Sequence, residues 1–268
     1  MILIMGDLTG VIFSSDKRKH LLLLLKSGPR TWEEIKTSLK VTSSGMLPQI
    51  HILENEGLVI RSGKDYRLSD LGMLIVYFME PLVSTLASLD NNKKFWKEHN
   101  IGAIPFDLLK RFSELKSLNV IECAMEESFE PHAQFLNSIR QSSSVKGISP
   151  IVHPRYPQFF LDGAQHGKDI SLILTNNAFN KIKKEYYPYL EEGLKYGNAS
   201  LYVYHGDIHF AFIVTEHYFS LSLFFHNDVF DSKRDLVSTD PSALAWGDDL
   251  FSYYRVRSER VTSLEDSG

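Results

Sequence analysis

Three helical patterns follow one another within the first sixty residues, and their spacing constrains the fold more than any other feature of this sequence. The first is apolar, spans residues 14–26 and is ended by Gly28-Pro29. The second begins at Thr31, which has the spacing of a capping box with Glu34. A polar break at residues 41–43 separates the second pattern from the third.

The third helical pattern leads directly into two short β-prone runs. Met46, Ile50 and Leu53 give this helix one apolar face, and Gly57 is placed to end it. The two runs, at 58–61 and 66–68, alternate in polarity and are joined by turn residues. This order predicts a winged helix-turn-helix, with the third helix in the major groove of DNA and the hairpin as a wing beside it.

Beyond residue 70 the pattern changes twice. Residues 71–118 have helical spacing, and from residue 119 strands alternate with helices. A closing helix at 240–255 has Asp240 as its N-cap and Pro241 at its first position. The strands are expected at 119–124, 145–150, 170–175, 199–204, 208–215 and 218–225, and the remaining helices at 130–140, 154–165 and 177–196.

These patterns together predict an α+β protein. We expect a winged helix domain at 1–70, a helical linker and dimerisation region at 71–118, an α/β sensor or effector domain at 119–260, and a disordered tail at 261–268. Residues 1–70 hold 10 Lys and Arg against 8 Asp and Glu, whereas the remainder is acidic. A mildly basic front and an acidic rear suit a DNA-binding head on a body that does not contact DNA.

The run at 71–89 is long enough and apolar enough to span a bilayer. Glu80 would then lie near the membrane centre, at a cost of ~2.5–3.5 kcal/mol, and Pro81 would kink the helix. The run is therefore interpreted as a long buried helix that forms a homodimer, without a membrane partner.

The single cysteine and the first five residues indicate in which cellular compartment the protein is expected. The one cysteine, Cys123, excludes an internal disulfide framework and is expected to be a buried free thiol. Residues 1–5 are apolar but too short for a signal peptide and lack a basic leader. The cytoplasm is the expected location.

The rear half carries residues that resemble a known family. They lie in the stretches 147–157, 172–175, 210–215 and 243–255, the last of which reads Ala-Leu-Ala-Trp-Gly-Asp-Asp-Leu-Phe-Ser-Tyr-Tyr-Arg. These stretches resemble the middle, or effector, domain of the methanogenesis regulatory protein family, and the head resembles an archaeal winged-helix regulator. The resemblance implies a transcription regulator from a methane-producing archaeon that acts on genes of methyl-group or methylsulfide metabolism.

Candidate DNA-binding residues lie on the third helix and on the wing. The outer face of the helix carries groups that hydrogen-bond bases or phosphates, and the wing carries cations that contact phosphates. The predicted set is Ser43, Ser44, Pro48, Gln49, His51, Arg61, Lys64 and Arg67. Further cations near the reading helix are Lys17, Arg18, Lys19 and Lys40. Double-stranded DNA is the expected partner.

Residues 209–216 resemble the strand of phospholipase D-type phosphodiesterases, in which a His and a Lys two residues apart precede an Asp. His209 is present, but Ala211 occupies the Lys position and Glu216 the Asp position. We therefore expect a fold that phospholipase D enzymes share, without catalytic residues. The ten histidines show no metal-ligand spacing, so neither a metal nor a cofactor is expected.

The rear domain is expected to sense a small, anionic molecule or a protein effector. The predicted pocket residues are His153, Arg155, Tyr156 and His209, because Arg155 can bind an anion bidentately and Tyr156 offers stacking area. Two other hypotheses are open: a degenerate phosphodiester hydrolase that uses His209 and Glu216, and a protein-interaction module whose winged helix does not bind DNA.

Overall fold

The structure is a computed structural model that describes residues 7–122 and 133–264. Cys123 and the last four residues of the expected tail lie outside the described residues. The chain divides into two compact units, Met1–Ser84 and Thr85–Gly268.

The first unit is a winged helix, as predicted. Its helices are α1 (Asp7–Phe13), α2 (Asp16–Leu25), α3 (Trp32–Leu39) and α4 (Ser43–Asn55), and α1 was not foreseen. Its strands are β1 (Arg30–Thr31), β2 (Val59–Ser62) and β3 (Asp65–Leu68), in the antiparallel order β1-β3-β2. The capping box is confirmed, because the Thr31 hydroxyl accepts from the Glu34 N–H and the Glu34 carboxylate accepts from the Thr31 N–H.

The core of the first unit lies between these helices and the hairpin. The predicted apolar face of α4 is confirmed, since Met46, Ile50 and Leu53 are fully buried. They belong to one cluster with the buried leucines of α2 and with Ile35 of α3. The outer face of α4 is thereby directed away from this core.

The helix α5 (Asp70–Asn91) follows the wing and is mostly exposed, which corrects the expectation of a long buried helix. Gly72, Val76 and Met79 are its buried positions, and 17% of its most apolar stretch is buried. Among the described residues it is the one helix that has the length and composition to cross a membrane. Its middle residue Glu80 forms an ion pair with Lys26.

Residues 93–118, which the sequence placed in a linker, pack into the second unit. They form α6 (Lys93–Glu98), α7 (Phe106–Leu109) and two 3-10 turns at Ile101–Ala103 and Phe112–Glu114. Phe95, Trp96, Leu108, Phe112 and Leu115 all belong to the main core cluster of this unit.

The second unit is built on an eight-stranded mixed sheet. Its strands are β4 (Asn119–Glu122), β5 (Ser144–Ser149), β6 (Asp169–Thr175), β7 (Ala199–Tyr204), β8 (Phe210–Val214), β9 (Phe219–Leu223), β10 (Arg234–Ser238) and β11 (Glu259–Arg260). Their order is β11-β7-β6-β5-β8-β9-β10-β4, with β5, β6 and β7 parallel and the other pairs antiparallel. Strands β10 and β11 were not predicted from the sequence.

The helices of the second unit are α8 (Ala133–Gln141), α9 (Tyr156–Gln165), α10 (Asn176–Glu185), α11 (Tyr187–Gly193) and α12 (Pro241–Arg255). The expected single helix at 177–196 is two helices. The chain leaves helical geometry at Tyr186, and Pro188 has no N–H to donate to the Lys184 carbonyl, so α10 cannot continue through it. The predicted cap of α12 is confirmed, since Asp240 accepts from the Ser242 N–H at 2.9 Å.

The two faces of the sheet are covered differently. On one face, Trp246 of α12 is fully buried against Phe219 and donates its indole N–H to the Leu108 carbonyl at 3.0 Å. On the other face, a smaller cluster joins α8 and α9 to Val145, Ile213 and Tyr218. This second face holds the cavity described below.

A glycine fixes how closely α5 approaches the wing. A Cβ atom added at Gly72 would lie 2.1 Å from the carbonyl oxygen of Leu58, whereas one added at Gly10 of α1 would meet no atom within 4 Å. We expect Gly72→Ala to lower the free energy of unfolding of the first unit by about 2 kcal/mol, because the backbone must move apart. Gly10→Ala is the matched control and is expected to raise it by up to ~1 kcal/mol.

Denaturant unfolding followed by circular dichroism checks this expectation. An unchanged midpoint for Gly72→Ala would contradict the close approach of α5 to Leu58.

Candidate DNA-binding surface and ligand cavity

The outer face of α4 presents the polar groups that the sequence predicted for DNA. Ser43, Ser44, Pro48 and His51 are exposed and Gln49 is half-buried. The His51 Nδ1 atom lies 3.0 Å from Glu54 Oε2, so an acid one turn along the helix already engages this imidazole. Polar contact from this face to DNA stays a prediction.

Arg18 has a structural role, which corrects its place among the phosphate-contacting cations. It is 9% exposed. Its guanidinium donates to the Gln49 side-chain oxygen at 2.8 Å, to the Ser14 hydroxyl at 2.9 Å and to the Val11 carbonyl. Arg18 therefore holds Gln49 in place and leaves the outer surface to other cations.

The three neighbouring lysines differ from one another in what their side chains contact. Lys17 donates to the Gly45 carbonyl at 3.1 Å, in the first turn of α4, so it adds positive charge where the helix N-terminus already favours anions. Lys19 forms an ion pair with Asp16 at 2.7 Å. Lys40 is exposed and adopts a left-handed conformation at the end of α3.

The wing carries Arg61, Lys64 and Arg67, all exposed. Arg61 lies over the Tyr66 ring, 5.7 Å from its centroid, and Arg67 donates to the Leu68 carbonyl at 3.3 Å. Within the described residues, none of the three forms an ion pair with an acidic side chain. Their positive charge is therefore available to a phosphate backbone.

A cavity of about 250 Å³ lies in the second unit, on the sheet face opposite α12. Strands β5 to β10 and helices α9 and α11 line it. Its floor includes small side chains on adjacent strands: Ala211 of β8 is paired in register with Ser222 of β9, and Ser220 of β9 is paired with Ile213. The opposite face of the same strands carries Phe210, Phe212, Phe219 and Leu221.

Two of the four predicted effector residues line this cavity. His153 and Tyr156 contribute to its wall, with ring centroids 4.9 Å apart. Arg155 is exposed and is not among the lining residues, and its backbone N–H donates to His153 Nδ1 at 3.2 Å. His209 also lies outside the lining, with Nδ1 3.3 Å from Asp228 Oδ1 and its ring against Phe224.

The phospholipase D-like strand is β8 with its flanking residues. His209 precedes the strand and Glu216 follows it, so the two side chains lie at opposite ends, about 20 Å apart along the strand. Burial opposes the charge of Glu216, but hydrogen bonds from Ser143, Ser144 and its own backbone outweigh that effect and lower its pKa to about 2. Glu216 is a structural carboxylate, and Ala211 supplies no cation.

A buried charge cluster lies beside the cavity and was missed by the sequence analysis. His99 is fully buried, with its ring stacked between Phe95 and Phe225. Its Nδ1 lies 2.7 Å from the Phe95 carbonyl oxygen and its Nε2 lies 3.0 Å from Asp231 Oδ2. Because both partners are acceptors, this geometry fits a ring protonated on both nitrogens.

Asp231 connects that histidine to a second ion pair. Its carboxylate also accepts from Arg234 Nε at 2.8 Å and from the Lys233 N–H at 3.0 Å. Arg234 in turn donates to Glu98 of α6 at 2.7 Å. Burial opposes the charge of Arg234, but the hydrogen bonds to Glu98 and Asp231 hold its pKa above the ordinary value.

Asp231 is therefore shared between two features. It lines the cavity and it fixes α6 to the strand region before β10. Over residues 7–122 and 133–264, no group of three or more His, Cys, Asp or Glu side chains is arranged to hold a metal ion.

Comparison with known families matches both halves of the chain. Residues 7–87 match the N-terminal domain, and residues 128–257 the middle domain, of "Methanogenesis regulatory protein FilR1". FilR1 of Methanothrix harundinacea (strain 6Ac) is 26% identical over 256 residues, which cover 94% of this chain and 57% of that protein. The chain thus spans somewhat more than half the length of this curated relative. The match confirms the predicted resemblance.

Comparison with solved structures gives only distant similarities. The archaeal chromatin protein TrmBL2 aligns over 94% of this chain and 97% of its own, with 13% identity and a TM-score of 0.42. Nuc from Salmonella typhimurium, a phospholipase D family member, aligns over 55% of this chain and 99% of its own, with 12% identity and a TM-score of 0.42. NucT from Helicobacter pylori aligns over 54% and 99%, with 14% identity and a TM-score of 0.43.

The buried cluster makes a prediction about stability. We expect Asp231→Asn to lower the free energy of unfolding by about 3 kcal/mol, because it leaves the charges of His99 and Arg234 buried beside a neutral amide. Asp228→Asn is the matched control. Asp228 is exposed and adopts a left-handed conformation that asparagine tolerates, so its effect is expected within about 0.5 kcal/mol.

Thermal and urea unfolding measure both variants. Equal stabilities of the two variants would show that the cluster contributes no more than a surface ion pair.

Proposed function

Because the chain belongs to the FilR1 family of methanogenesis regulatory proteins, we propose that it is a homodimeric, sequence-specific DNA-binding transcription regulator whose second unit responds to an effector. Its expected setting is the cytoplasm of a methane-producing archaeon, and its expected targets are genes of methanogenesis or methyl-compound metabolism. The observation that carries the proposal is a winged helix whose reading helix exposes polar side chains beside a wing with three exposed cations.

Charge and shape of the first unit support DNA as the partner. The first turn of α4 has Lys17 beside it, and the wing that packs after α4 adds Arg61, Lys64 and Arg67. Phosphate contacts from such cations position a winged helix, and polar groups on its reading helix then contact base edges. Ser44, Gln49 and His51 are the proposed base-contacting residues, and Ser43 and Pro48 flank them.

One observation favours a second candidate, a winged helix that binds protein instead of DNA. The sequence of α4, Ser-Ser-Gly-Met-Leu-Pro-Gln-Ile-His-Ile-Leu-Glu-Asn, contains neither Lys nor Arg. Bidentate contact to guanine from this helix is thus excluded, so any sequence preference has to come from weaker polar contacts and DNA shape.

The exposed side of α5 supports the homodimer. Leu71, Leu74, Phe78 and Leu82 recur at helical spacing and are each between 44% and 69% exposed. Tyr77 packs its ring edge-on against Phe78 and widens this surface. A contiguous apolar surface of this kind is costly in water, and a second copy of the same helix offers a complementary apolar partner.

The second unit is proposed as a sensor without catalytic activity. The lysine position of the phospholipase D-like strand is Ala211, and His209 and Glu216 lie at opposite ends of β8. What the unit offers instead is a cavity whose lining residue Asp231 also binds His99 at the end of α6. A ligand that binds one arrangement of this region more tightly would shift the DNA affinity, and DNA would shift the ligand affinity by the same factor.

The DNA proposal is tested by salt-dependent binding to the duplex upstream of the gene. The triple variant Arg61→Ala, Lys64→Ala, Arg67→Ala is expected to weaken binding to all sequences, because phosphate contacts are lost. The slope of log affinity against log salt should fall by about 0.9 for each lost contact. Fluorescence anisotropy over a range of salt concentrations measures both quantities.

Lys26→Ala is the matched control, because Lys26 lies at the other end of α2 from α4 and pairs with Glu80. It should leave affinity and slope unchanged. His51→Ala should reduce the preference for the upstream duplex over a random duplex at constant slope. A wild-type protein that binds neither duplex would favour the protein-interaction candidate.

The dimer proposal is tested by sedimentation equilibrium. The wild type is expected as a dimer at micromolar concentration and Phe78→Lys as a monomer, because the charge would be buried in the interface. Val256→Lys changes a side chain that is 71% exposed outside α5 and should remain dimeric. A monomeric wild type that partitions into liposomes would instead assign the surface of α5 to a membrane.

A further inference from the structure

We infer that the cavity of the second unit binds a small, mainly apolar and uncharged molecule that carries a hydroxyl group at one end. This inference rests on the proposed function, because it names the chemical class of the effector. It differs from the sequence expectation of an anionic ligand.

The greater part of the cavity wall is hydrocarbon. Leu172 and Leu174 of β6, Leu201 of β7, Leu190 of α11 and Phe160 of α9 all contribute. A ligand that fills this part gains from apolar burial and can make no hydrogen bonds to these side chains.

The other part of the cavity has a polar column on β9. Ser220 and Ser222 alternate with Phe219 and Leu221, so both serines lie on the cavity face of this strand. The Ser222 hydroxyl donates to the carboxylate of Asp235 on β10. Together with Asp231 and Asp235, the two serines make the end of the lining at β9 and β10 polar.

The hydroxyl of Ser220 is the group that a ligand hydroxyl would meet. Ser220 is buried and lines the cavity, and Ser222, two residues along the same strand, holds the Asp235 carboxylate beside it.

The charges at this site select against an anion. The charged residues among the described lining are Asp231 and Asp235, and neither Lys nor Arg is included. A ligand carboxylate would therefore find no lysine or arginine to pair with in the lining, where Asp231 is already paired with His99 and Arg234. A ligand hydroxyl, by contrast, can accept from Ser220 and donate to a carboxylate oxygen.

The volume limits the size of the molecule. An apolar cavity of about 150 Å³ holds benzene, so the present cavity of about 250 Å³ corresponds to roughly ten non-hydrogen atoms. Octanol and octanoate are both of this size and differ only in their polar ends.

Isothermal titration of the full chain with octanol and with octanoate tests the ligand class. Octanol is expected to bind at least tenfold more tightly than octanoate at neutral pH. Equal or tighter binding of octanoate would overturn the inference, and so would an absence of octanol binding.

Ser220→Ala tests the site itself. It should lower the octanol affinity about fivefold, because the hydroxyl that meets the ligand hydroxyl is lost. Ser252→Ala, at an exposed position of α12, is the matched control and should bind octanol normally. Normal octanol binding by Ser220→Ala would overturn the assignment.

Ala211→Leu fills the floor of the cavity and should abolish octanol binding. Ala245→Leu adds the same atoms at an exposed position of α12 and should leave binding unchanged. The affinity of the unliganded protein for upstream DNA is measured separately. A protein that does not bind this DNA would contradict the proposed function. The affinities for octanol and octanoate would still decide the ligand class.

Discussion

Strands β8 and β9 of the second unit carry phenylalanine and leucine side chains on one face and mainly small side chains on the other, and the rest of that unit depends on this difference. Along β8 and β9, Phe210, Phe212, Phe219 and Leu221 alternate with Ala211, Ser220 and Ser222. The large side chains need a complete cover, which α12 and the segment 93–118 provide around Trp246. The small ones leave space beneath α9 and α11, so the cavity follows from the same alternation that builds the core.

The features that the sequence predicted well depend on residues close together in the chain. The capping box of Thr31 and Glu34, the apolar face of α4 and the hairpin are local, and all are present as expected. The helix predicted at 177–196 is divided for an equally local reason, the proline at position 188. Six strands of the sheet, β4 to β9, were recognisable because they are apolar runs bounded by turns, whereas their order and directions were not predicted.

The features that the sequence could not predict depend on contacts between distant residues. Arg18 stands in a basic run that looks exposed, yet Gln49, 31 residues later, accepts its hydrogen bond and the side chain is buried. His153 and Tyr156 lie on one short segment and share the cavity, but His209 faces Asp228 instead. The polar column of β9 was detectable in principle from its alternation, whereas the partners of His99 were not.

The order in which the chain leaves the ribosome gives the buried charge cluster a consequence for folding. His99 meets Asp231 across 132 residues, and the Trp246 indole meets the Leu108 carbonyl across 138. The segment 93–118 therefore emerges long before the elements that cover it, and its aromatic side chains remain exposed during synthesis. Such high contact order predicts slow closure of the second unit and a nascent chain that depends on protection from aggregation, whereas the winged helix can fold early from local contacts.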